Sequence, residues 1–297
     1  MTIIAGFKCF EGVVICADTL ETMEQSKRHV QKLRFLPDAG VSQNPNELAV
    51  IFCGSGYGPF IDKVIELAWK DAKTTGSLEE ACDAIERSIK VTYEEYGRIY
   101  QPGERPTVEL LYGVKMEQQC KLFTASGPLV SEKDQYDSSG AGYWMADFLS
   151  RRMHSRALNI HQCVILAAYI LFQAKEHVDG CGGSSDIAIL RSDGVSGYVD
   201  AQKVKAITEI LEAADQQIGE ILLSIANLDV PDEQFRQDIE PIADTLDFLR
   251  SMARQDAERR DKAIDLMSKA RGGTERIKRD SLGLPIPPDF RKSEDQQ

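Results

Sequence analysis

The first residue with an evident chemical use is Thr2, which follows a single Met and precedes the apolar run IIAGF. Methionine aminopeptidases remove Met when the next residue is small, and Thr qualifies. Removal leaves one residue carrying both a hydroxyl and a free α-amine, whose unperturbed pKa of about 7.7–8.0 lies near working pH. Nucleophile and base then share one residue, the threonine–amine device of covalent catalysis. A lysine close by would depress the amine's pKa by like-charge repulsion and favour its basic form.

The other reactive side chains make no comparable set. The seven cysteines (Cys9, Cys16, Cys53, Cys82, Cys120, Cys163 and Cys181) are odd in number and mostly lie in apolar runs. No pair has metal-ligand spacing, so they read as reduced, buried thiols of a cytoplasmic protein. The four histidines, His29, His154, His161 and His177, contain no H-x-x-x-H pair, and neither a metal nor another cofactor is expected. GSGYG and SGAG each sit before a helical pattern. Neither continues to G-x-G-x-x-G or G-K-[ST], so close backbone approach is expected there rather than phosphate binding.

Rigid elements must hold such groups. TIIAGFKCF and GVVICAD read as strands joined by a tight turn at Glu11-Gly12. ETMEQSKRHVQ reads as a polar loop, KLRFL as a short strand and PDAGVSQNPNE as an insertion. ELAVIFCG is a strand broken by GSGYGP, and FIDKVIELAWKDAK has helical spacing. Ser77 followed by Glu80 marks the start of a second helix, whose apolar positions Leu78, Cys82, Ile85, Ile89 and Tyr93 lead to an end near Gly97. TVELLYGV and CKLFTAS read as strands. YDSSGAG then leads into helix YWMADFLSRRM, followed by helix ALNIHQCVILAAYILFQAKEHV, the glycine loop and strand DGCGGSSDIAIL, and strand VSGYVD.

Runs of strands separated by pairs of helices predict an α+β fold rather than a doubly wound parallel sheet. The specific expectation is a four-layer αββα sandwich over residues 1–200. Beyond Asp200 the apolar positions from Ile207 to Leu228 and from Phe235 to Met252 predict a helical hairpin over 201–272, interrupted at Val230-Pro231-Asp232. Pro241 is expected to kink or restart its second helix. Residues 273–297 are Pro-rich and charged and are expected to be disordered.

Composition narrows the function. The 297 residues are 42% hydrophobic and carry a net charge of −12, which fits a soluble globular protein and opposes binding to nucleic acid or an anionic membrane. CVILAAYILF is too short to span a bilayer. No basic segment and A-x-A site mark a signal peptide, so a cytoplasmic location is expected.

TIIAGFKCFEGVVICAD resembles the start of a mature proteasome β-subunit and of its bacterial ring-protease relatives, the N-terminal-nucleophile (Ntn) hydrolases. Thr2, Gly6 and Ala17-Asp18 match the family's catalytic threonine, following glycine and closing acid without a gap. QKLRFL resembles the strand carrying the catalytic lysine, which places that lysine at Lys32. IFCGSGYGPFID resembles the strand, glycine turn and helix that make Gly54 the oxyanion amide. SSGAGYWMADFL resembles the turn before the third helix, and DGCGGSSDIAIL the late acidic glycine loop, with Asp179 as its acid.

The resemblance covers about the first 200 residues and implies a threonine endopeptidase of a self-compartmentalising ring, with peptides or unfolded proteins as substrates. In that mechanism Thr2 attacks the carbonyl, its own amine takes the proton, Lys32 lowers pKa values, Asp18 orients Lys32 and the Gly54 N–H stabilises the oxyanion. Enclosed sites imply homo-oligomers and an unfoldase partner. Ala141 and Cys181 stand where the family has serines, with Ser139 expected to supply the missing hydroxyl. These departures keep two other readings open: a catalytically inactive structural subunit, and an amidohydrolase that uses Thr2 on a small amide. Phe52 and Gly56 resemble residues lining the family's primary specificity pocket.

Overall fold

A computed structural model describes residues 2–23, 26–37, 41–42, 44, 46–100, 108–193, 195–225 and 231–270. Met1 and residues 271–297 therefore lie outside the described residues, and with them the expected Met removal and the expected disordered tail. The chain divides into two compact units, residues 1–249 and 250–297.

In the first unit, β1 (Ile3–Cys9) and β2 (Gly12–Asp18) form the expected hairpin. Its turn is built for close passage. A Cβ on Gly12 would stand 1.9 Å from the carbonyl oxygen of Leu190, so only glycine fits. Glu11 in the same turn is buried, and its carboxylate accepts the Ile160 N–H at 2.8 Å. That satisfies one of the unpaired amides at a helix start.

The polar segment expected as a loop is instead a two-stranded hairpin, β3 (Leu20–Met23) with β4 (Ser26–His29). Arg28 and Glu21 face each other across it and pair at 2.5 Å, a cross-strand attraction that needs no apolar face. Next come β5 (Leu33–Leu36), the two-residue β6 (Val41–Ser42) and β7 (Ala49–Gly56). α1 (Gly58–Ala72) and α2 (Leu78–Gly97) follow. Ser77 caps α2 as expected by accepting the Glu80 N–H at 3.3 Å, whereas the Glu80 carboxylate reaches past Ser77 to the Gly76 N–H at 2.9 Å.

β8 (Val108–Met116) and β9 (Gln119–Ser126) match the expected pair. β10 (Leu129–Lys133) and β11 (Tyr136–Gly140) are strands where the sequence pattern predicts connections. α3 (Tyr143–Met153), α4 (Ile160–His177), β12 (Ser185–Arg191), β13 (Ser196–Tyr198) and α5 (Ala201–Ser224) complete the order up to α6 (Asp232–Ala270). Pro241 lies inside α6 and does not restart it. The described part of the second unit, residues 250–270, is the C-terminal stretch of this helix.

The fold is α+β, and its two large sheets are antiparallel. One runs β11-β1-β2-β12-β13-β6 and the other β10-β9-β8-β7-β5. Side-chain alternation explains how both sheet faces become buried. Ile4, Val13, Ile15, Ala17, Ala188 and Leu190 of the first sheet share an apolar cluster with Leu33, Phe35, Ile51, Leu111 and Leu122 of the second. The opposite face of the second sheet, including Val50, Phe52, Tyr112 and Phe123, packs on Phe60, Val64, Ile85 and Ile89 of α1 and α2. α4 packs on β1, β2 and β12 of the first sheet, and α5 packs on α4 and β12.

Candidate active site

Thr2 immediately precedes β1, at one end of the first sheet, and is 6% exposed. Its carbonyl accepts the Gly142 N–H at 3.3 Å. β11 passes so near that a Cβ on Gly140, where φ is +88°, would lie 2.3 Å from the Thr2 carbonyl oxygen and 2.8 Å from its Cγ2. Glycine at 140 therefore permits both the backbone conformation and the approach to Thr2.

The hairpin register brings the last residue of β2 beside the first residues of β1. Asp18, fully buried, accepts the Thr2 hydroxyl at 2.6 Å and the Ile3 N–H at 3.1 Å, both through Oδ1. Its Oδ2 accepts the Gly182 N–H at 3.0 Å. Lys32 enters from the other sheet, immediately before β5. Its Nζ donates to Asp18 Oδ1 at 2.6 Å and also to Thr2 Oγ1 and the Leu20 carbonyl. Three acceptors match the three protons of the ammonium group. The lysine side chain is 9% exposed and the aspartate 0%, so solvent screens this pair weakly.

Lys32 is held by a residue that carried no sequence signal. Among the described residues the outer edge of β5 has no neighbouring strand, and the Tyr198 hydroxyl covers it. That hydroxyl accepts the Phe35 N–H at 3.1 Å and the Gln31 side-chain amide at 3.0 Å, and donates to the Leu33 carbonyl at 2.9 Å. Both neighbours of Lys32 in sequence are thus tied to one oxygen.

The remaining expected residues are placed differently. Gly54 lies in β7 opposite Leu110, with Ile61 of α1 packed on its Cα. The Ser139 hydroxyl donates to the Glu109 carboxylate and lies 3.0 Å from the Ser55 hydroxyl. Asp179 is exposed in the turn after α4, and the contact from that loop to Asp18 comes from the backbone of Gly182. Phe52 is fully buried against α1 and α2, because the strand alternation turns it to the helical face. Gly56 does line a cavity beside Thr2.

Burial pushes the Cys181 thiol up to about 11, reinforced by the charge of Asp18, so this neighbour stays a thiol near neutral pH. Burial lowers the pKa of Lys175, which donates to Ser185 Oγ at 2.6 Å, while the Asp18 charge acts in the opposite direction. Among the described residues no three His, Cys, Asp or Glu side chains gather in a group able to hold a metal. None of the described helices is long and apolar enough to cross a membrane.

A threonine just before a strand, braced by a buried acid and by a lysine that precedes a strand of the facing sheet, lies in a proteasome-like fold. Solved structures that share this fold include those of Anbu. Anbu from Yersinia bercovieri, described as an ancestral β-subunit, has a TM-score of 0.58 at 15% identity, over 77% of this chain and 98% of its own. The Gly-1 mutant of Anbu from Hyphomicrobium sp. strain MC1 has a TM-score of 0.58 at 13% identity, over 74% of this chain and 97% of its own. A helical assembly of the Anbu complex from Pseudomonas aeruginosa has a TM-score of 0.58 at 13% identity, over 74% and 96%. At these identities the likeness establishes the fold alone. No protein-family model and no curated protein matches the chain.

Proposed function

We propose that the chain is a threonine-type endopeptidase subunit, with Thr2 as nucleophile once Met1 is removed. The observation that carries the reading is the buried Thr2–Asp18–Lys32 constellation, in which the threonine hydroxyl donates to the acid and accepts from the lysine. The lysine charge favours the basic form of the freed α-amine, which takes the hydroxyl proton as Oγ1 attacks a peptide carbonyl. Asp18 fixes the lysine, and the Gly182 amide fixes Asp18. Gly54 is assigned the oxyanion N–H and Ser139 a polar supporting role. Asp179 is the acid of the late loop. An acyl ester on Thr2 forms, and water releases it.

The same reading includes the four-layer αββα arrangement over residues 1–200, the hairpin extension over 201–272 and the tail over 273–297. It also includes assembly of copies into a closed ring that works with an unfoldase in the cytoplasm. Support for assembly comes from the Pseudomonas aeruginosa Anbu complex, described as a helical assembly, and from Tyr143, Trp144 and Phe148, which leave large apolar surfaces exposed on α3.

Intact mass of the purified protein, with and without a β-lactone or epoxyketone, tests the reading. Loss of Met1, one adduct on Thr2, and no adduct or peptide hydrolysis in Thr2→Ala are expected. Retained Met1 overturns the reading. So does the absence of both adduct and hydrolysis in Met-processed protein, which would favour the structural subunit that Ala141 and Cys181 suggest.

A further inference from the structure

A cavity of about 410 Å³ opens beside Thr2, lined by Ser55, Gly56, Glu109, Ser139, Gly140 and Tyr143 among others. Its wall at Gly140 is the backbone that touches Thr2. Glu109 is its one charged lining residue. The register sets Glu109 of β8 opposite Ser55 of β7, and Ser139 of β11 closes the group by donating to Glu109 Oε2. Ser55 Oγ lies 3.0 Å from Ser139 Oγ and so braces the hydroxyl that donates to the carboxylate. Among the described residues no lysine or arginine forms an ion pair with it.

We infer that this cavity receives a lysine or arginine side chain of the substrate, next to the bond that Thr2 attacks. This deepens the peptidase reading and rests on it. A part-buried carboxylate held by a hydroxyl donor is pre-organised for a cation and gains charge-assisted hydrogen bonds from it. Tyr143, 58% exposed, stands in the lining and offers its ring to the aliphatic stem or to the face of a guanidinium. A neutral side chain gains no charge-assisted bond to Glu109, and an acidic one is repelled by it. The net charge of −12 also attracts basic segments at long range.

The test uses the full-length chain and labelled peptides that differ only at the residues flanking one bond: arginine, its neutral isostere citrulline, lysine or glutamate. Fluorescence anisotropy on Thr2→Ala reads binding without turnover, and wild-type protein reads cleavage. Arginine and lysine peptides are expected to bind at least tenfold more tightly than the citrulline peptide, with the glutamate peptide weakest. Glu109→Gln is expected to bring the arginine peptide to the citrulline level, with Glu109→Asp keeping part of the preference. The arginine–citrulline comparison needs no change to Glu109, so it decides the matter even where a Glu109 variant fails to fold. Equal binding of arginine and citrulline peptides overturns the cavity assignment, whether or not Thr2 is acylated. Preference for arginine that persists in folded Glu109→Gln also overturns it. Glu109-dependent binding without acylation of Thr2 keeps the cavity and overturns the nucleophile.

Discussion

Replacing Asp18 by asparagine keeps the shape of the side chain and removes the charge on which the site is organised. The carboxylate receives Thr2 Oγ1, Ile3 N and Lys32 Nζ on Oδ1 and Gly182 N on Oδ2. An amide can place its oxygen toward only one of these sets, so its NH2 must face a donor. With the oxygen at Oδ1, the NH2 meets the Gly182 N–H; flipped, it meets Lys32 and Thr2. The lysine, 9% exposed, is then left without its counter-charge. Removing one partner of a buried pair costs about 3–5 kcal/mol, because the other charge is stranded. At roughly 2–4 °C per kcal/mol for a protein of this size, the unfolding midpoint of Asp18→Asn falls by about 6–20 °C. Thr2 also loses the acceptor that positions its hydroxyl, and displacement on this scale slows acylation by on the order of a hundredfold.

Thermal unfolding followed by circular dichroism, and adduct formation followed by intact mass well below the midpoint, read the two effects separately. The double variant Lys32→Met with Asp18→Asn supplies the internal control. It strands no charge, so it is expected to be less destabilised than Asp18→Asn alone, giving a non-additive cycle. Additive losses, or a midpoint for Asp18→Asn within about 2 °C of wild type, no more than the shift from a single kcal/mol, would refute the claim that this pair is buried and coupled.

Two further perturbations probe the surrounding structure. Gly140→Ala must hold a side chain at φ +88° with its Cβ against the Thr2 carbonyl, so a stability loss of about 1–3 kcal/mol in urea denaturation is expected, together with slower acylation of Thr2. Lys115 is fully buried on β8, donating to the Asn44 carbonyl at 2.7 Å and to Ser42 Oγ at 3.2 Å, and burial lowers its pKa below the ordinary 10.5. Between its folded and unfolded pKa values the unfolded chain binds more protons, so this residue makes stability rise with pH toward 10.5. Lys115→Met is expected to flatten that rise in urea midpoints measured across the alkaline range.

Local signals were strong where one segment defines its own geometry. The apolar run of β1 and β2, broken at Glu11-Gly12, reads directly as a hairpin, and Ser77 reads as a cap because its partner amide is three residues away. Strands β10 and β11 were illegible for the opposite reason. LVSEK and YDSSG have no apolar alternation, and their strand character comes from pairing with β9 and β1. The ordered resemblance to Ntn hydrolases named Thr2, Asp18 and Lys32, which the fold brings into hydrogen-bond contact. It named Asp179 where the backbone of Gly182 makes the contact, because a motif of side chains does not reveal which main-chain group turns inward. It offered no hint of Tyr198 or Glu109, whose partners lie on other strands.

By itself, then, the sequence determined the α+β order of elements and the hairpin that follows Thr2. Those are properties of composition, periodicity and neighbours along the chain. The tertiary structure alone decided that Lys32, thirty residues downstream and in the facing sheet, donates to both Thr2 and Asp18. It also decided that Ser139 turns toward Glu109, and that both line a cavity with Gly140, whose backbone lies against Thr2. Each of these depends on sheet pairing and register, where a shift of one residue would turn every side chain to the other face.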